Sequence, residues 1–157
     1  MSLDVRTEGS FAIRDYRESD FSGLVALDSE CFEPGIAYPP GEMTRFLSLA
    51  TREVLVADLN GKLAGFCIGY RAPRSLGRIV TLDVRAEHRR AGIGRALLHR
   101  TIERLVLAGA DQTVLEVDVR NAAAISFYER LGFERSAMLP DYYGPGLAGL
   151  EMRKTEN

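Results

Sequence analysis

The chain has 157 residues, of which 46% are hydrophobic and 27% are charged, and its formal net charge is −2. This balance is typical of one globular domain and argues against intrinsic disorder. A net charge this close to zero gives no overall attraction to nucleic acid or to an anionic membrane, so neither is expected as a partner.

A domain of this size buries about 70% of the surface of its unfolded chain, so a core can form without disulfides or metal. The two cysteines, Cys31 and Cys67, and the two histidines, His88 and His99, lack metal-ligand spacing, and no metal is expected. Cys67 lies in an apolar run and is expected in the core. The sequence has no signal-peptide pattern and no apolar run near the roughly 20 residues of a membrane span. We expect one cytoplasmic domain over residues 1–157.

The first third of the chain predicts one strand and two helices. Residues 11–17 (FAIRDYR) alternate apolar and polar side chains, as a half-buried strand does. Ser19 or Asp20 can cap the helix that follows. Three prolines and two glycines in residues 33–41 predict a loop, and a shorter helix is expected near residues 43–49.

The middle of the chain predicts an antiparallel meander of three strands. Residues 53–59 (EVLVADL) and 62–71 (KLAGFCIGYR) flank Asn60-Gly61, the dipeptide most typical of a two-residue hairpin. Residues 78–84 form the third strand.

The last part predicts two helices and three strands. Residues 94–108 carry one apolar helical face, and residues 113–119 (TVLEVDV) form a strand after it. This strand–helix–strand order implies a right-handed crossover and a parallel strand pair. Asn121 caps a helix to Leu131, and strands follow at residues 133–138 and 147–154. The predicted fold is α/β (mixed α+β), with a mostly antiparallel sheet of six to seven strands, one parallel pair, and helices on both faces.

Residues 80–94 (VTLDVRAEHRRAGIG) run from a strand through a basic turn into a helix. Amides at a helix start are unpaired and the helix dipole adds positive potential, so this turn suits a phosphate. Gly92 and Gly94 have no side chain to block a ligand. Three arginines border the turn: Arg89, Arg90 and Arg95. The turn is neither a dinucleotide fingerprint nor a P-loop, and a merely glycine-rich turn is the alternative.

Arg89-x-x-Gly92-x-Gly94 resembles the acetyl-CoA signature Gln/Arg-x-x-Gly-x-Gly/Ala of GNAT N-acetyltransferases. The block LEVDVRNAAAISFYERLGF, residues 115–133, resembles the second signature region of that family. The element order is similar from about Phe11 to Arg153. Within the family, this block and the Tyr142-Tyr143 pair most resemble the ribosomal-protein alanine N-acetyltransferase group, which acetylates protein N-termini.

The resemblance implies a GNAT fold and an acyltransferase that uses acetyl-CoA as cosubstrate, by direct attack of an amine in a ternary complex. Backbone groups of Leu82 and Val84 would pair with the pantetheine arm, and an amide near Leu82 would polarise the thioester carbonyl. Amides from Arg90 to Arg95 would bind the pyrophosphate, and Asn121 would contact the cofactor near its pantetheine. The full set of expected cofactor residues is Leu82, Asp83, Val84, Arg89, Arg90, Ala91, Gly92, Ile93, Gly94, Arg95 and Asn121.

The resemblance also implies that Glu116 is the general base and Tyr128 the general acid. Glu116 alternates with apolar neighbours on its strand, and a buried carboxylate is costly unless it is partnered or functional. A structural ion pair is the alternative, and Asp118 on the same side is a competing base. Asn121 and Tyr128 are two helical turns apart and share a face, although Asn121 also suits a plain cap and Tyr128 a core position.

The acceptor side matches the family less well. Residues 146–150 lack the acidic residue that is usual in the ribosomal-protein group, and residues 37–40 lack the tryptophan often found there. Ala86 occupies the position where proline is common in the family. Tyr142 and Tyr143 are candidate substrate-binding residues, or loop aromatics that pack on the helix of Tyr128. The preferred acceptor is a protein N-terminal α-amine. A small-molecule amine and a non-catalytic acyl-CoA-binding module are the alternatives, and the protein is expected to be a monomer or a homodimer.

Overall fold

A computed structural model describes residues 4–5 and 10–156, whose strands form one sheet in the order β1-β2-β3-β4-β5-β6-β8-β7. The strands are β1 Asp4–Val5, β2 Ala12–Asp15, β3 Arg52–Leu59, β4 Lys62–Ala72, β5 Leu76–Val84, β6 Gln112–Asp118, β7 Glu134–Leu139 and β8 Gly149–Thr155. The helices are α1 Phe21–Cys31, α2 Pro40–Leu47, α3 Ile93–Leu107 and α4 Ala122–Arg130. Single 3-10 turns at Glu18–Asp20 and Ala86–His88 precede α1 and α3.

The predicted mixed fold is confirmed. Strands β5 and β6 are parallel, and the other neighbouring strands of the described sheet are antiparallel. Seven strands of four residues or more account for the predicted six to seven, and the two-residue edge strand β1 is additional. Asn60 and Gly61 both have positive φ, 54° and 85°, as the predicted hairpin turn requires.

Helices cover both faces of the sheet, as predicted. Leu97 and Leu98 of α3 are at most 1% exposed and pack with α4 on one face. Leu27 of α1 and Met43 of α2 are buried to the same extent on the other. Each such side chain stabilises the fold by roughly 1.5–3 kcal/mol. Cys67 is fully buried in the α3-side core, as expected.

Strands β5 and β6 separate part-way along their length. They pair only from Leu76 with Gln112 to Ile79 with Leu115, although β5 continues to Val84 and β6 to Asp118. Between β4 and β5 the register skips Val80, which is therefore bulged. A bulge disrupts the ladder and bends its strand, so β5 turns away from β6 and opens a cleft.

Candidate active site

A cavity of about 380 Å³ occupies the cleft between β5 and β6. Leu82 lines it from β5 and Glu116 from β6, and α4 contributes Asn121 and Tyr128. Residues from the two stretches singled out in the sequence, 80–94 and 115–133, therefore lie around one space.

Glu116 lies on β6 between the buried Leu115 and Val117, with its side chain 13% exposed. Its Oε2 atom accepts a hydrogen bond from Nη2 of Arg78 at 2.6 Å. The ion pair that sequence reasoning weighed as an alternative is therefore present. It does not remove the carboxylate from the cavity, which Glu116 lines.

Asp118, the competing base, is committed to a different partner. Both of its carboxylate oxygens accept from the Arg120 side chain, and Oδ1 also accepts the Arg120 backbone N–H at 2.9 Å. The hydrogen bond from the Arg120 guanidinium lowers the pKa of Asp118. Because a lowered pKa makes Asp118 a poorer proton acceptor, Glu116, which lines the same cavity, is the better-placed candidate.

Asn121 and Tyr128 share the cavity face of α4, as their spacing predicts. Asn121 also caps the helix, since its Oδ1 accepts the N–H of Ala124 at 3.1 Å. The Tyr128 ring makes edge contacts with Phe127 and Phe133, at centroid distances of 5.3 and 5.8 Å. Burial raises the pKa of Tyr128, so its hydroxyl remains protonated at neutral pH.

The basic turn has the geometry of an anion site. Arg90 and Gly92 adopt left-handed backbone angles, with φ of 66° and 87°, and α3 starts at Ile93. The six consecutive amides from Arg90 to Arg95 donate to no acceptor among the described residues. Such a row of free N–H groups at a helix start favours a phosphate.

The residues predicted to hold the cofactor differ in what they offer. Leu82 lines the cavity, whereas the Asp83 side chain is 1% exposed and faces Asp28 of α1, and Asp83 pairs with Phe66 of β4 and does not line the cavity. The Val84 carbonyl accepts from Nε of Arg89 at 3.0 Å. Arg89 therefore folds back onto the end of β5, while Arg90 and Arg95 are exposed beside the turn.

Tyr142 and Tyr143 both line the cleft cavity, and their rings meet edge to face at 4.8 Å. Burial and the neighbouring Glu116 charge raise the pKa of Tyr142. A second cavity of about 230 Å³ adjoins the first. The residues common to the linings of both cavities are Tyr38, Ile79, Val80, Glu116 and Tyr142.

Residues 21–133 match the model of the Acetyltransferase (GNAT) family. The chain belongs to the GNAT acetyltransferase family. Its GNAT relatives include the uncharacterized N-acetyltransferase MJ1530 of Methanocaldococcus jannaschii, 33% identical over 90% of each chain. An N-alpha-acetyltransferase of Sulfurisphaera tokodaii is 27% identical over 87% of each chain.

The fold of this chain is also similar to that of solved GNAT structures. Ard1 of Thermoplasma volcanium superposes with a TM-score of 0.84 and 25% identity, covering 94% of this chain and 98% of that one. Ribosomal-protein alanine N-acetyltransferases of Escherichia coli and Brucella melitensis are also among the structural neighbours.

Two residues of this GNAT site escaped sequence reasoning. Arg78 is the partner of Glu116 but lies 38 residues earlier in the chain. Tyr38, in the loop between α1 and α2, reaches both cavities. The proline-rich loop was visible in the sequence, but its place beside the cleft depends on tertiary packing.

None of the helices in residues 10–156 is both long and apolar enough to cross a membrane. Within the same described part of the chain, no group of three or more His, Cys, Asp or Glu side chains could hold a metal ion.

Proposed function

We propose that this GNAT enzyme transfers the acetyl group of acetyl-CoA to the α-amine of a peptide or protein N-terminus. The observation that carries the proposal is the position of Glu116, whose side chain lines both cavities. An acetyl thioester in the cleft and an amine from the second cavity would meet beside this carboxylate. The free amides of residues 90–95 support binding of the pyrophosphate of acetyl-CoA.

Proton transfer in the proposed reaction uses two side chains. The amine nitrogen attacks the thioester carbonyl carbon, so that an N–C bond forms and the C–S bond breaks. Glu116 takes the proton that the amine loses, directly or through water, and Tyr128 donates its hydroxyl proton to the departing sulfur. The raised pKa of Tyr128 keeps that proton in place until the sulfur leaves.

Two physical arguments favour an α-amine. Deprotonating an α-amine of pKa about 7.7–8 at pH about 7.4 costs less than about 1 kcal/mol, whereas a lysine of pKa about 10.4 costs about 4 kcal/mol. The second cavity is lined by Arg45 and Arg78, whose guanidinium groups pair with Glu42 and Glu116. Its lining therefore offers a polycation no unpaired carboxylate, which disfavours the polyamine and aminoglycoside alternatives. The N-alpha-acetyltransferase relative supports the same choice.

A panel of acceptors tests the proposal. Short peptides with a free N-terminus should be acetylated with a kcat/KM at least tenfold above that of the same peptides with a blocked N-terminus and an internal lysine. Polyamines and aminoglycosides should also fall below the free peptides. Faster turnover of a small amine would move the function to that class, and tight acetyl-CoA binding without turnover of any amine would leave the non-catalytic module.

A further inference from the structure

Two carboxyl groups are buried side by side beneath the active site. Asp28 of α1 is 0% exposed and Asp83 of β5 is 1% exposed. Asp28 Oδ2 accepts the backbone N–H of Tyr38 at 2.6 Å, and Asp83 Oδ1 accepts the hydroxyl of Thr81. The other two oxygens, Oδ1 of Asp28 and Oδ2 of Asp83, are buried without a donor among the described residues. The end of α1 packs against the end of β5 here, since the Cys31 thiol donates to the Val84 carbonyl at 3.6 Å, and the Asp28 carboxyl acts on that of Asp83.

A single shared proton would satisfy both unpartnered carboxyl oxygens. Two ionised carboxylates would be desolvated and would repel each other, whereas a single proton between them gives both orphan oxygens a hydrogen bond. Burial, and next the Asp28 carboxyl, raise the pKa of Asp83 well above its ordinary 3.8, and this prevails over the opposing Arg89 charge. The other titratable groups facing Asp83 are Cys31 of α1, Cys67 of β4 and Tyr128 of α4.

The pair holds one wall of the active site. Its Asp28 end anchors the backbone of Tyr38, and the Tyr38 hydroxyl donates to the Val80 carbonyl at 3.4 Å, at the bulge where the cleft opens. The Tyr38 ring contacts Phe46 of α2 edge to face, at 5.3 Å. The loop between α1 and α2 is thereby tied to β5 at the point where the two cavities adjoin.

We propose that Asp28 and Asp83 share one proton, and that this hydrogen bond positions Tyr38 as the wall between the cleft and the second cavity. The consequence for acceptor binding rests on the proposed function; the shared proton does not. Asp28 and Asp83 are positioning residues, since they act through Tyr38. Loss of the proton at higher pH places two negative charges in the core, loosens the Tyr38 loop and weakens acceptor binding.

The pH dependence of stability tests the shared proton without any activity. Because the folded pKa of Asp83 lies above the unfolded value near 3.8, the stabilisation is complete below pH 3.8 and is lost as pH rises through the folded pKa. In Asp83→Asn the side-chain amide donates to Asp28 and has no proton to lose. Between the unfolded and the folded pKa of Asp83, the folding equilibrium constant of the wild type should fall about tenfold per pH unit relative to that of Asp83→Asn.

The matched control for this comparison is Asp111→Asn, which changes an exposed carboxylate. Its stability should follow the wild type across the same range. If Asp83→Asn also runs parallel to the wild type from pH 4 to 9, no proton is shared and the proposal is overturned.

Acceptor kinetics test the positioning of Tyr38. Asp28→Ala removes the acceptor of the Tyr38 N–H and should raise the peptide KM at least tenfold, with the acetyl-CoA Kd changed less than twofold. Asp28→Asn should restore most of the loss, since its amide oxygen can accept from Tyr38 and its amide nitrogen can donate to Asp83. The peptide KM of Asp83→Asn, corrected for the free-amine fraction, should stay level with pH where the wild-type KM rises.

Equal peptide KM values in wild type and Asp28→Ala would overturn the positioning role. If Asp28→Ala does not fold, the pH dependence of the peptide KM in Asp83→Asn and in wild type still decides whether the pair positions Tyr38. A wild type that acetylates no peptide would refute the proposed function, while the stability profile would still decide whether the proton is shared.

Discussion

The Arg78 guanidinium donates to the Glu116 carboxylate at 2.6 Å. Arg78 still pairs with Val114 across the two strands, whereas Glu116 is the first β6 residue beyond the last pair, Ile79 with Leu115. The ion pair bridges the two strands at the opening of the cleft, and both residues also line the second cavity. An amine that reaches Glu116 must therefore compete with Arg78 for the same carboxylate. The contact links the architecture of the split sheet to the chemistry proposed for it.

Glu116→Gln should lower kcat by about 10²–10⁴-fold, because the amide cannot accept the amine proton. The acetyl-CoA Kd should not change, since the amides of residues 90–95 are intact. The loss of stability should be no more than about 1 kcal/mol, because Arg78 is 31% exposed and solvent screens the pair. Steady-state kinetics and calorimetry measure both effects. Glu134→Gln, at an exposed carboxylate on β7, is the control; an undiminished kcat in Glu116→Gln would remove the role of base.

Tyr128→Phe should reduce kcat and also change the alkaline stability of the protein. Burial raises the folded pKa of Tyr128 above its ordinary 10.0, so the unfolded chain loses this proton first and the wild type loses stability as pH rises past 10. One such group contributes a slope of about 1.4 kcal/mol per pH unit. Urea unfolding at pH 9 to 11 should therefore give a shallower decline for Tyr128→Phe than for wild type. Identical slopes would mean that the hydroxyl is open to solvent.

Gly92 and Gly94 should respond to alanine in opposite ways. Gly92 has φ of 87°, so Gly92→Ala should cost about 1 kcal/mol or more and raise the acetyl-CoA Kd by distorting the turn. A Cβ on Gly94 would meet Val84 Cγ2 at 3.5 Å, an ordinary contact, and Gly94 is the second residue of α3, so Gly94→Ala should leave the stability unchanged or raise it slightly. Thermal melts of both variants, with and without acetyl-CoA, measure the change in stability and the change in cofactor affinity separately. Equal destabilisation by both substitutions would contradict the assigned backbone geometry.

The two glycines also show how far sequence reasoning reached. The motif predicted a phosphate turn, which stays a prediction, and nothing local distinguished the glycine with positive φ from the one in the helix. Element order and periodicity predicted the sheet, its parallel pair and the helices on both faces, because these follow from spacing along the chain.

Contacts across the sheet could not be predicted in the same way. The Arg78–Glu116 ion pair depends on the register of two strands that are separated by α3 in the chain, and the Asp28–Asp83 pair depends on how α1 packs on β5. The bulge at Val80 changes which side chains of β5 face α3 and which face α1. The alternation of apolar and polar residues along a strand does not show where a bulge inserts an extra residue. The sequence around Asp83 therefore gave no sign that its side chain would be buried against α1.

Cys31 should be a slow but ligand-sensitive thiol. It lies at the end of α1, lines the cleft cavity and is half-buried, and burial, followed by the nearby Asp28–Asp83 carboxyl pair, raises its pKa above the ordinary value. Because the raised pKa keeps this thiol protonated and the thiolate is the reactive form, alkylation by iodoacetamide at pH 7.5 should be slower than that of an exposed cysteine. Bound acetyl-CoA should slow it further by covering the cleft.

Mass spectrometry of alkylated protein checks both effects, with Cys31→Ser as the control that should take up no label. Cys67 should stay unmodified in the folded protein, because it is fully buried and its pKa is raised to about 12. Rapid labelling of Cys31 at neutral pH, or labelling that acetyl-CoA leaves unchanged, would show that this thiol does not face the cofactor cleft. Protection by acetyl-CoA would instead place the bound cosubstrate against the same wall that Asp28, Asp83 and Tyr38 build.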